Sequence, residues 1–347
     1  MPTGVLRETA MDCASFDIGG ISGRRIAVLS TGGTIEMLPG SRGLQLADDH
    51  NPLPIDGSLI PPGIEIEHIR FSNIPSPWMT PGMMASLCGR IDELAESGAY
   101  SGIVVTHGTD TLEETAFLAD ILPDRNVPVV FTAAMRSQAE LGVDGPRNVR
   151  GAVLVASTDE VHKLGVTVVL NDEIHAAGRV TKTYTSNVSS FASPGYGPLG
   201  FVDQDSVLLQ RKPLWRVQLP PGKLEMKSGV GLVKVAAGLG AREIMHCVES
   251  GDEALVVEAL GRGNVPPPVS TAIEKALEKG IVVCVTSRCY VGRVLGVYDY
   301  EGGGARLQEM GALMAGDMQG HKLRLLLMAA LGRNMKPDEI ADILKRL

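Results

Sequence analysis

The sequence predicts an α/β protein made of two open α/β domains, the larger N-terminal one with a mostly parallel sheet and the smaller one C-terminal. Short apolar runs alternate with amphipathic stretches, which is the pattern of βα units. A polar, proline-containing stretch at 206–228 interrupts this pattern, which then resumes. The length of 347 residues is also typical of about two domains.

These observations set the expected boundaries. We expect an N-terminal arm at 1–23, the larger α/β domain at 24–205, a linker at 206–228 and the smaller α/β domain at 229–347. In the larger domain, apolar runs predict strands, and two capping patterns predict helix starts: Thr80 followed by Pro81, and Asp144 followed by Gly145-Pro146. The predicted strands are 25–30, 103–106, 128–132 and 166–170, and the predicted helices are 81–98, 112–122 and 145–157.

The smaller domain repeats the alternation of strand and helix. Its apolar runs predict strands at 231–236, 254–257 and 281–285. Amphipathic stretches predict helices at 241–249, 269–279, 321–331 and 336–347.

Composition and charge exclude several classes of function. With 44% hydrophobic and 21% charged residues the chain is typical of globular proteins, and its formal charge of -8 argues against nucleic acid or an anionic membrane as partner. Residues 1–23 lack the apolar block of a secretory signal, and no run of about 18 apolar residues predicts a membrane span. Five cysteines without a C-x-x-C pair favour reduced, mostly buried thiols. We therefore expect a soluble, cytoplasmic protein.

Two threonine-glycine turns stand out as a candidate site. Thr31-Gly-Gly-Thr34 and Thr106-His-Gly-Thr109 each follow a predicted strand. Ligands of open parallel sheets bind beyond the carboxyl ends of the strands, where both turns should lie. Either turn alone is explained by a tight turn with capping hydroxyls. Two such turns, with polar residues crowded around Gly108, favour a ligand site instead.

A threonine hydroxyl is a weak nucleophile and needs a base or a neighbouring cation. Lys182 follows a predicted strand in a polar loop and is a candidate for that cation, although spacing alone favours a solvated surface lysine. The H-E-x-x-H, Walker and G-x-S-x-G motifs are absent, and the seven histidines have no metal-ligand spacing. His107 is therefore interpreted as a core or loop residue, and neither a metal nor another cofactor is expected.

Together the two turns resemble the signatures of the bacterial-type L-asparaginase/glutaminase family. The resemblance extends over roughly residues 24–347. It is carried by STGGTI (30–35), THGTDTLEETA (106–116), TAAMR (132–136), DGPRN (144–148), NDEIHAAGRVTKT (171–183), ASPGYGPLG (192–200), GRGN (261–264) and TSRC (286–289).

The resemblance implies the roles of the catalytic residues. It identifies Thr34 as the acylated nucleophile, and Thr109, Asp110 and Lys182 as a second catalytic group. Asp110 would also hold the α-ammonium of the substrate, and Ser76 its α-carboxylate.

The resemblance also implies residues that complete the site. Asn264 would reach the site of a neighbouring subunit, which implies a homodimer at least and a homotetramer as the usual state. Backbone N–H groups near Gly33 or Ala134 would hold the developing oxyanion.

The sequence departs from the family pattern near the nucleophile. Many members carry a tyrosine about a dozen residues after it, whereas residues 37–47 contain none. We hypothesise that Tyr298 or Tyr300 of a partner subunit takes its place; structural packing near an interface is the alternative. Pro77-Trp78 also replaces the more common Gln-Asp.

The predicted function is hydrolysis of the side-chain amide of L-asparagine to L-aspartate and ammonia. One alternative is an amidohydrolase for another small amide, such as L-glutamine or D-asparagine. A second is a non-catalytic, ligand-sensing relative, which the joint presence of both threonines and the lysine disfavours.

Overall fold

The computed structural model describes residues 14–17, 23–46, 60–214 and 216–345. Within these ranges the chain divides into two compact units. The first holds the described residues up to Trp78 together with 91–113 and 125–216, and the second holds 79–90, 114–124 and the described residues from 217 onward. The helices are α1 Pro81–Glu96, α2 Leu112–Asp120, α3 Gly145–Ala156, α4 Arg242–Glu249, α5 Pro267–Glu278, α6 Gly304–Glu309, α7 Gly320–Gly332 and α8 Pro337–Leu344.

The first unit is built on a large mixed sheet. Its strands are β1 Ala14–Asp17, β2 Arg24–Ser30, β3 Met37–Gly40, β4 Gly43–Leu46, β5 Ile64–Arg70, β6 Gly102–Thr106, β7 Val129–Thr132, β8 Thr167–Leu170, β9 Glu173–Ala176, β10 Thr181–Lys182, β11 Phe191–Ala192, β12 Gly200–Asp203 and β13 Ser206–Leu209. Among the described residues, nine of them form one sheet in the order β1-β13-β12-β9-β8-β7-β6-β2-β5. The part from β8 to β5 is parallel, and the rest is antiparallel.

The parallel part of this sheet is apolar because it is covered on its faces. The central residues Val28, Val104 and Val130 have no exposed surface, and they pack in one core with apolar residues of α3. Strands buried on both faces read as continuous apolar runs, which is why they are recognisable in the sequence.

The second unit has a smaller parallel sheet with its own core. Its strands are β14 Val230–Lys234, β15 Ala254–Ala259, β16 Val282–Ser287 and β17 Leu313–Met314, in that order across the sheet. Helices α4 and α5 pack together, and α7 packs on β14 and β15. The predicted class, two α/β units with the larger one first, is confirmed.

Every predicted strand and helix is present, but several strands were not predicted. Strand β5 was missed because it forms an edge of the sheet and its sequence, IEIEHIR, is only partly apolar. Residues 206–209, expected in the linker, form β13, which pairs with β12. Of the expected arm, the structure describes 14–17 and 23, and 14–17 pair with β13 at the opposite edge.

The described cysteines agree with the expectation of mostly buried thiols. Cys88, Cys247 and Cys284 are buried, Cys289 is exposed, and none of these four described cysteines forms a disulfide. Cys13 lies outside the described residues. None of the described helices is long and apolar enough to cross a membrane.

Candidate active site

Both threonine-glycine turns lie at one edge of the large sheet, as predicted. Strands β5, β2, β6 and β7 run parallel, so their carboxyl ends meet there. Ser30 at the end of β2 is in register with Arg70 of β5 and Thr106 of β6. The turn after β2 is joined to β6 by Thr31, whose N–H and hydroxyl both donate to Thr106 O at 3.1 Å.

The two glycines before Thr34 allow three chain segments to meet. Gly33 has φ 88° and ψ 179°, a conformation that essentially only glycine adopts. A Cβ on Gly33 would lie 2.6 Å from Gly108 N, and a Cβ on Gly32 would lie 2.6 Å from Ile74 N. The backbones of the two turns therefore touch, and the half-buried Thr34 begins a short 3₁₀ turn directly after this contact.

Lys182 joins the second threonine to an aspartate. Its Nζ donates to Thr109 Oγ1 at 2.9 Å and to Asp110 Oδ1 at 2.7 Å. The side chain of Lys182 is 16% exposed, and that of Asp110 is 57% exposed. The surface-lysine alternative, which spacing alone favoured, is therefore wrong. The spacing gave no sign that the chain would return to Thr109 after more than seventy residues.

The position of Lys182 is fixed by the backbone around it. Strand β10 pairs with β11, and the N–H of Lys182 donates to Glu113 Oε1 at 3.1 Å. Glu113 is buried and lies in the first turn of α2, directly after the second threonine-glycine turn. Sequence reasoning gave Glu113 no role, because only the folded chain brings it to β10.

Ser76 is buried against the second threonine-glycine turn and is 5% exposed. Its Oγ accepts a hydrogen bond from Asp110 N at 3.1 Å, and its carbonyl accepts one from Thr111 Oγ1 at 2.8 Å. A Cβ on Gly108 would lie 2.7 Å from Ser76 Oγ. Ser76 is thus brought to the backbone of Asp110, its predicted neighbour in substrate binding. Trp78, two residues on, is 66% exposed.

Ala134 lies beside the segment that carries Thr34. A Cβ on Gly145 would contact both Ile35 Cγ1, at 3.1 Å, and Ala134 Cβ, at 3.3 Å. Gln138 Nε2 also donates to Ile35 O at 3.1 Å. The two predicted oxyanion donors are therefore both near Thr34. Gly33 is the residue before it, and Ala134 shares the contact at Gly145 with Ile35, the residue after it.

Asp144 and Asn148 hold the loop that contains Ala134. Asp144 occupies the N-cap position of α3, as predicted, but its carboxylate does not cap the helix. It accepts hydrogen bonds from Met135 N at 3.0 Å and Arg136 N at 2.9 Å, while Asn148 Nδ2 donates to Ala133 O at 2.9 Å. The segments DGPRN and TAAMR thus form one hydrogen-bonded support.

His107 supports the second turn from within the protein. It has no exposed surface, and its Nδ1 lies 2.8 Å from Gly108 O. Burial lowers the pKa of His107 to about 4, and the contact with Gly108 O opposes this shift. The ring is therefore neutral at neutral pH, with Nδ1 as the donor, and the interpretation of His107 as a core residue is confirmed.

Three predicted residues belong to the second unit. Asn264 follows β15, and its Oδ1 accepts a hydrogen bond from Gly304 N at 3.2 Å. Tyr298 and Tyr300 are 45% and 50% exposed, with ring centroids 5.7 Å apart. The first unit thus contains Thr34, Ser76, Thr109, Asp110, Ala134 and Lys182, and the second contains Asn264, Tyr298 and Tyr300.

The fold and this site define a class: two-unit α/β proteins with paired threonine turns at the edge of the larger sheet. Residues 25–215 match the model of the N-terminal asparaginase domain, and residues 229–344 match that of the glutaminase/asparaginase C-terminal domain. The chain belongs to the asparaginase family.

Individual relatives agree with this membership. The chain is 37% identical to a probable L-asparaginase of Deinococcus radiodurans, over 92% of this chain and 96% of that protein. It is 33% identical to an L-asparaginase of Bacillus licheniformis, over 89% and 95%. The crystal structure of a probable cytoplasmic L-asparaginase from Campylobacter jejuni matches with a TM-score of 0.81 and 30% identity, over 93% of this chain and 99% of that one.

Replacing Lys182 by methionine should lower amide turnover by about 10²- to 10⁴-fold, the usual contribution of a positioned proton-transfer group. Methionine keeps most of the side-chain volume but removes the hydrogen bonds to Thr109 and Asp110. The matched control is Lys223→Met, which removes an ion pair with Glu225 whose lysine is 84% exposed. Equal turnover in both variants would remove Lys182 from the chemistry.

Proposed function

We propose that the protein hydrolyses the side-chain amide of L-asparagine to L-aspartate and ammonia through an acyl-enzyme on Thr34. The observation that carries this proposal is the contact between two threonine turns, one of which holds the Lys182–Thr109–Asp110 cluster. Membership of the asparaginase family and the names of the relatives give the substrate class.

In the first half-reaction, Thr34 Oγ attacks the amide carbon of the side chain. The Oγ–C bond forms, and the carbonyl oxygen takes up negative charge that backbone N–H groups at Gly33 or Ala134 stabilise. The C–N bond then breaks, and ammonia leaves with the proton that Thr34 gave up.

In the second half-reaction, water attacks the ester carbon. The C–Oγ bond breaks, L-aspartate is released, and Thr34 recovers its proton. Lys182 donates to Thr109 Oγ1, so the adjacent cation favours loss of the Thr109 proton and makes this hydroxyl the proton carrier for one or both steps.

Substrate binding uses the other polar groups at this edge. The exposed carboxylate of Asp110 holds the α-ammonium, and Ser76, whose Oγ already accepts from Asp110 N, donates its hydroxyl proton to the α-carboxylate. Because Asp110 also accepts from Lys182, substrate binding and proton transfer are coupled through one side chain.

Ammonia release from L-asparagine, L-glutamine and D-asparagine tests the substrate. We expect the highest kcat/KM with L-asparagine. A preference for L-glutamine or D-asparagine would select the alternative of another small amide, to which the loop departures point. Release from none of the three would favour the ligand-sensing alternative, which is then tested by calorimetric binding of L-asparagine.

The assembly is proposed as a homo-oligomer, a dimer or tetramer in which Asn264 of one subunit completes the site of another. In the same arrangement, Tyr298 or Tyr300 of the partner replaces the missing loop tyrosine. Both tyrosines are about half exposed on this chain, so part of each side chain is accessible to a partner subunit, which supports this role. The cytoplasm is the proposed compartment, supported by the Campylobacter relative's name.

If Tyr298 or Tyr300 assists proton transfer, replacing that tyrosine by phenylalanine should lower turnover more than a few-fold. The substitution removes only the hydroxyl, which is the group that would transfer the proton. Tyr290→Phe serves as a matched control, since Tyr290 lies in the same stretch of chain and is 63% exposed. Steady-state kinetics of the three variants decides the matter. The hypothesis fails when neither Tyr298→Phe nor Tyr300→Phe differs from the control.

A further inference from the structure

Glu113, four residues after Thr109, is buried, and the mechanism above does not use it. It is the second residue of α2, and its Oε1 accepts a hydrogen bond from the backbone N–H of Lys182 at 3.1 Å. The Nζ of the same lysine donates to Thr109 and Asp110. The backbone of Lys182 is therefore held as well as its charged end.

The direction of the Lys182 N–H follows from the pairing of β10 with β11. In an antiparallel pair, residues that exchange backbone hydrogen bonds alternate with residues whose N–H and C=O point away from the partner strand. Thr183 N donates to Ser190 O at 2.6 Å, so these two residues form a hydrogen-bonded pair. The adjacent pair, Lys182 and Phe191, is then a non-hydrogen-bonded one. The N–H of Lys182 points away from β11, and Glu113 accepts it there.

Glu113 thus takes the place that a third strand would have beside β10. Among the described residues, β10 and β11 form a sheet of two strands, separate from the nine-stranded one. Each of the two strands is only two residues long. A two-stranded ribbon is at best marginally stable by itself, so its place depends on contacts that it makes outside the pair. The hydrogen bond to Glu113 is such a contact.

The segment 109–113 contacts Lys182 at both of its ends. Thr109 and Asp110 accept from Nζ, and Glu113 accepts from the backbone N–H. The lysine side chain is a flexible four-carbon stem, so a fixed backbone alone would leave Nζ mobile, and a contact at Nζ alone would leave the strand free to shift. Contacts at both ends fix Nζ relative to Thr109 Oγ1. A misplacement of about 1 Å in an active site costs up to about 10²-fold in rate.

We propose that Glu113 is a positioning residue: its carboxyl oxygen holds the backbone of Lys182 and thereby keeps Nζ in place for proton transfer at Thr109. The hydrogen bond requires an acceptor oxygen of the right reach. Without that acceptor, the N–H of Lys182 would face a buried side chain unsatisfied, which is costly, so we expect β10 to shift until water reaches it. The proposal rests on the role of Lys182 proposed above.

Three substitutions separate the hydrogen bond from the volume and the charge of Glu113. Glu113→Gln keeps an acceptor oxygen at the same reach and should keep kcat within a few-fold of wild type. Glu113→Leu keeps most of the volume without an acceptor, and Glu113→Asp keeps the carboxyl group on a shorter side chain. Both should lower kcat about 10- to 100-fold. Should leucine prevent folding, Glu113→Asp carries the same test.

The matched control is Glu339→Leu. Glu339 Oε2 also accepts the backbone N–H of a lysine, Lys336, at 2.7 Å, but it does so at the exposed start of α8 in the second unit. Glu339→Leu should leave kcat unchanged. The comparison isolates the place of the hydrogen bond from its chemical kind.

A double substitution tests whether Glu113 acts through Lys182. Glu113→Leu should lower kcat in the wild-type background and have little further effect in the Lys182→Met background, because the effects of residues that act as a unit do not add. A general loosening of the site would lower kcat by the same factor in both backgrounds. That result would overturn the positioning role.

Hydrogen exchange at single-residue resolution tests the contact without any substrate. The Lys182 amide should exchange faster in Glu113→Leu and Glu113→Asp than in wild type and Glu113→Gln, because it loses its acceptor. The Thr183 amide, which donates to Ser190 O within the ribbon, is the internal reference and should exchange equally in all four proteins. Urea unfolding of each variant shows that it is folded.

The outcomes separate this proposal from the proposed function. Equal exchange of the Lys182 amide in wild type, Glu113→Leu and Glu113→Asp would overturn the proposal, and so would wild-type kcat in the latter two. Absence of ammonia release by wild type would overturn the proposed function instead, while hydrogen exchange would still decide whether Glu113 holds the backbone of Lys182.

Discussion

Thr34→Ala is expected to lower turnover of L-asparagine by roughly four to six orders of magnitude, as the loss of a covalent nucleophile does. Alanine removes the only atom that can form the ester but leaves the backbone of the turn intact. Thr34→Ser, which keeps the hydroxyl, should retain much more activity and serves as the control. Single-turnover release of ammonia measures both variants.

The same variant also tests whether Thr34 acts in binding. Since Ser76 and Asp110 lie in other segments, Thr34→Ala should bind L-asparagine with nearly unchanged affinity. Calorimetric titration of the inactive variant measures this. Residual turnover within about tenfold of wild type would assign the attack to another group, with Thr109 as the first candidate because it already contacts Lys182.

Gly33→Ala is expected to destabilise the protein by about 4 kcal/mol or more, among the largest effects of a single substitution. Two costs add. The backbone at φ 88° and ψ 179° costs about 1–3 kcal/mol for a residue with a side chain. The new Cβ would also lie 2.6 Å from Gly108 N, in a contact between backbones that cannot rotate away.

A matched glycine separates these two costs. Gly98 has φ +68° but has no atom within 4 Å of the position that a Cβ would take. Gly98→Ala should therefore cost only about 1–2 kcal/mol, the penalty of the left-handed backbone. Urea unfolding gives both values. Equal losses in the two variants would mean that the contact between the threonine turns does not constrain the chain.

Sequence patterns identified β2, β6, β7 and β8 of the parallel part of the large sheet because these strands are buried. Strands β6 and β7, and β2 after its two initial arginines, are apolar runs that end in serine or threonine. The sequence patterns did not identify β5, whose alternating charged residues suit an edge strand. They also did not identify the short antiparallel strands beyond β8. Those strands depend on pairing partners distant in the chain, and pairing leaves little trace in composition.

The candidate site divides in the same way. The two threonine-glycine turns could be predicted from the sequence because the glycines at these strand ends are required by the local backbone geometry of the turns. The position of Lys182 could not be predicted in this way, because it depends on the pairing of β10 with β11 and on the hydrogen bond to Glu113. Family resemblance supplied what spacing could not, and the structure brings Lys182 to Thr109. Asp144 shows the converse, since its cap position was predicted but not its bonds to Met135 and Arg136.

The most direct test of a Thr34 acyl-enzyme is to quench the wild-type protein with acid during turnover of L-asparagine and to locate the adduct by peptide mass spectrometry. We expect one aspartyl group, in ester linkage, on the peptide that contains Thr34. The adduct should be absent from Thr34→Ala. An adduct on the peptide that contains Thr109, with Thr34 unmodified, would contradict the assignment of the nucleophile.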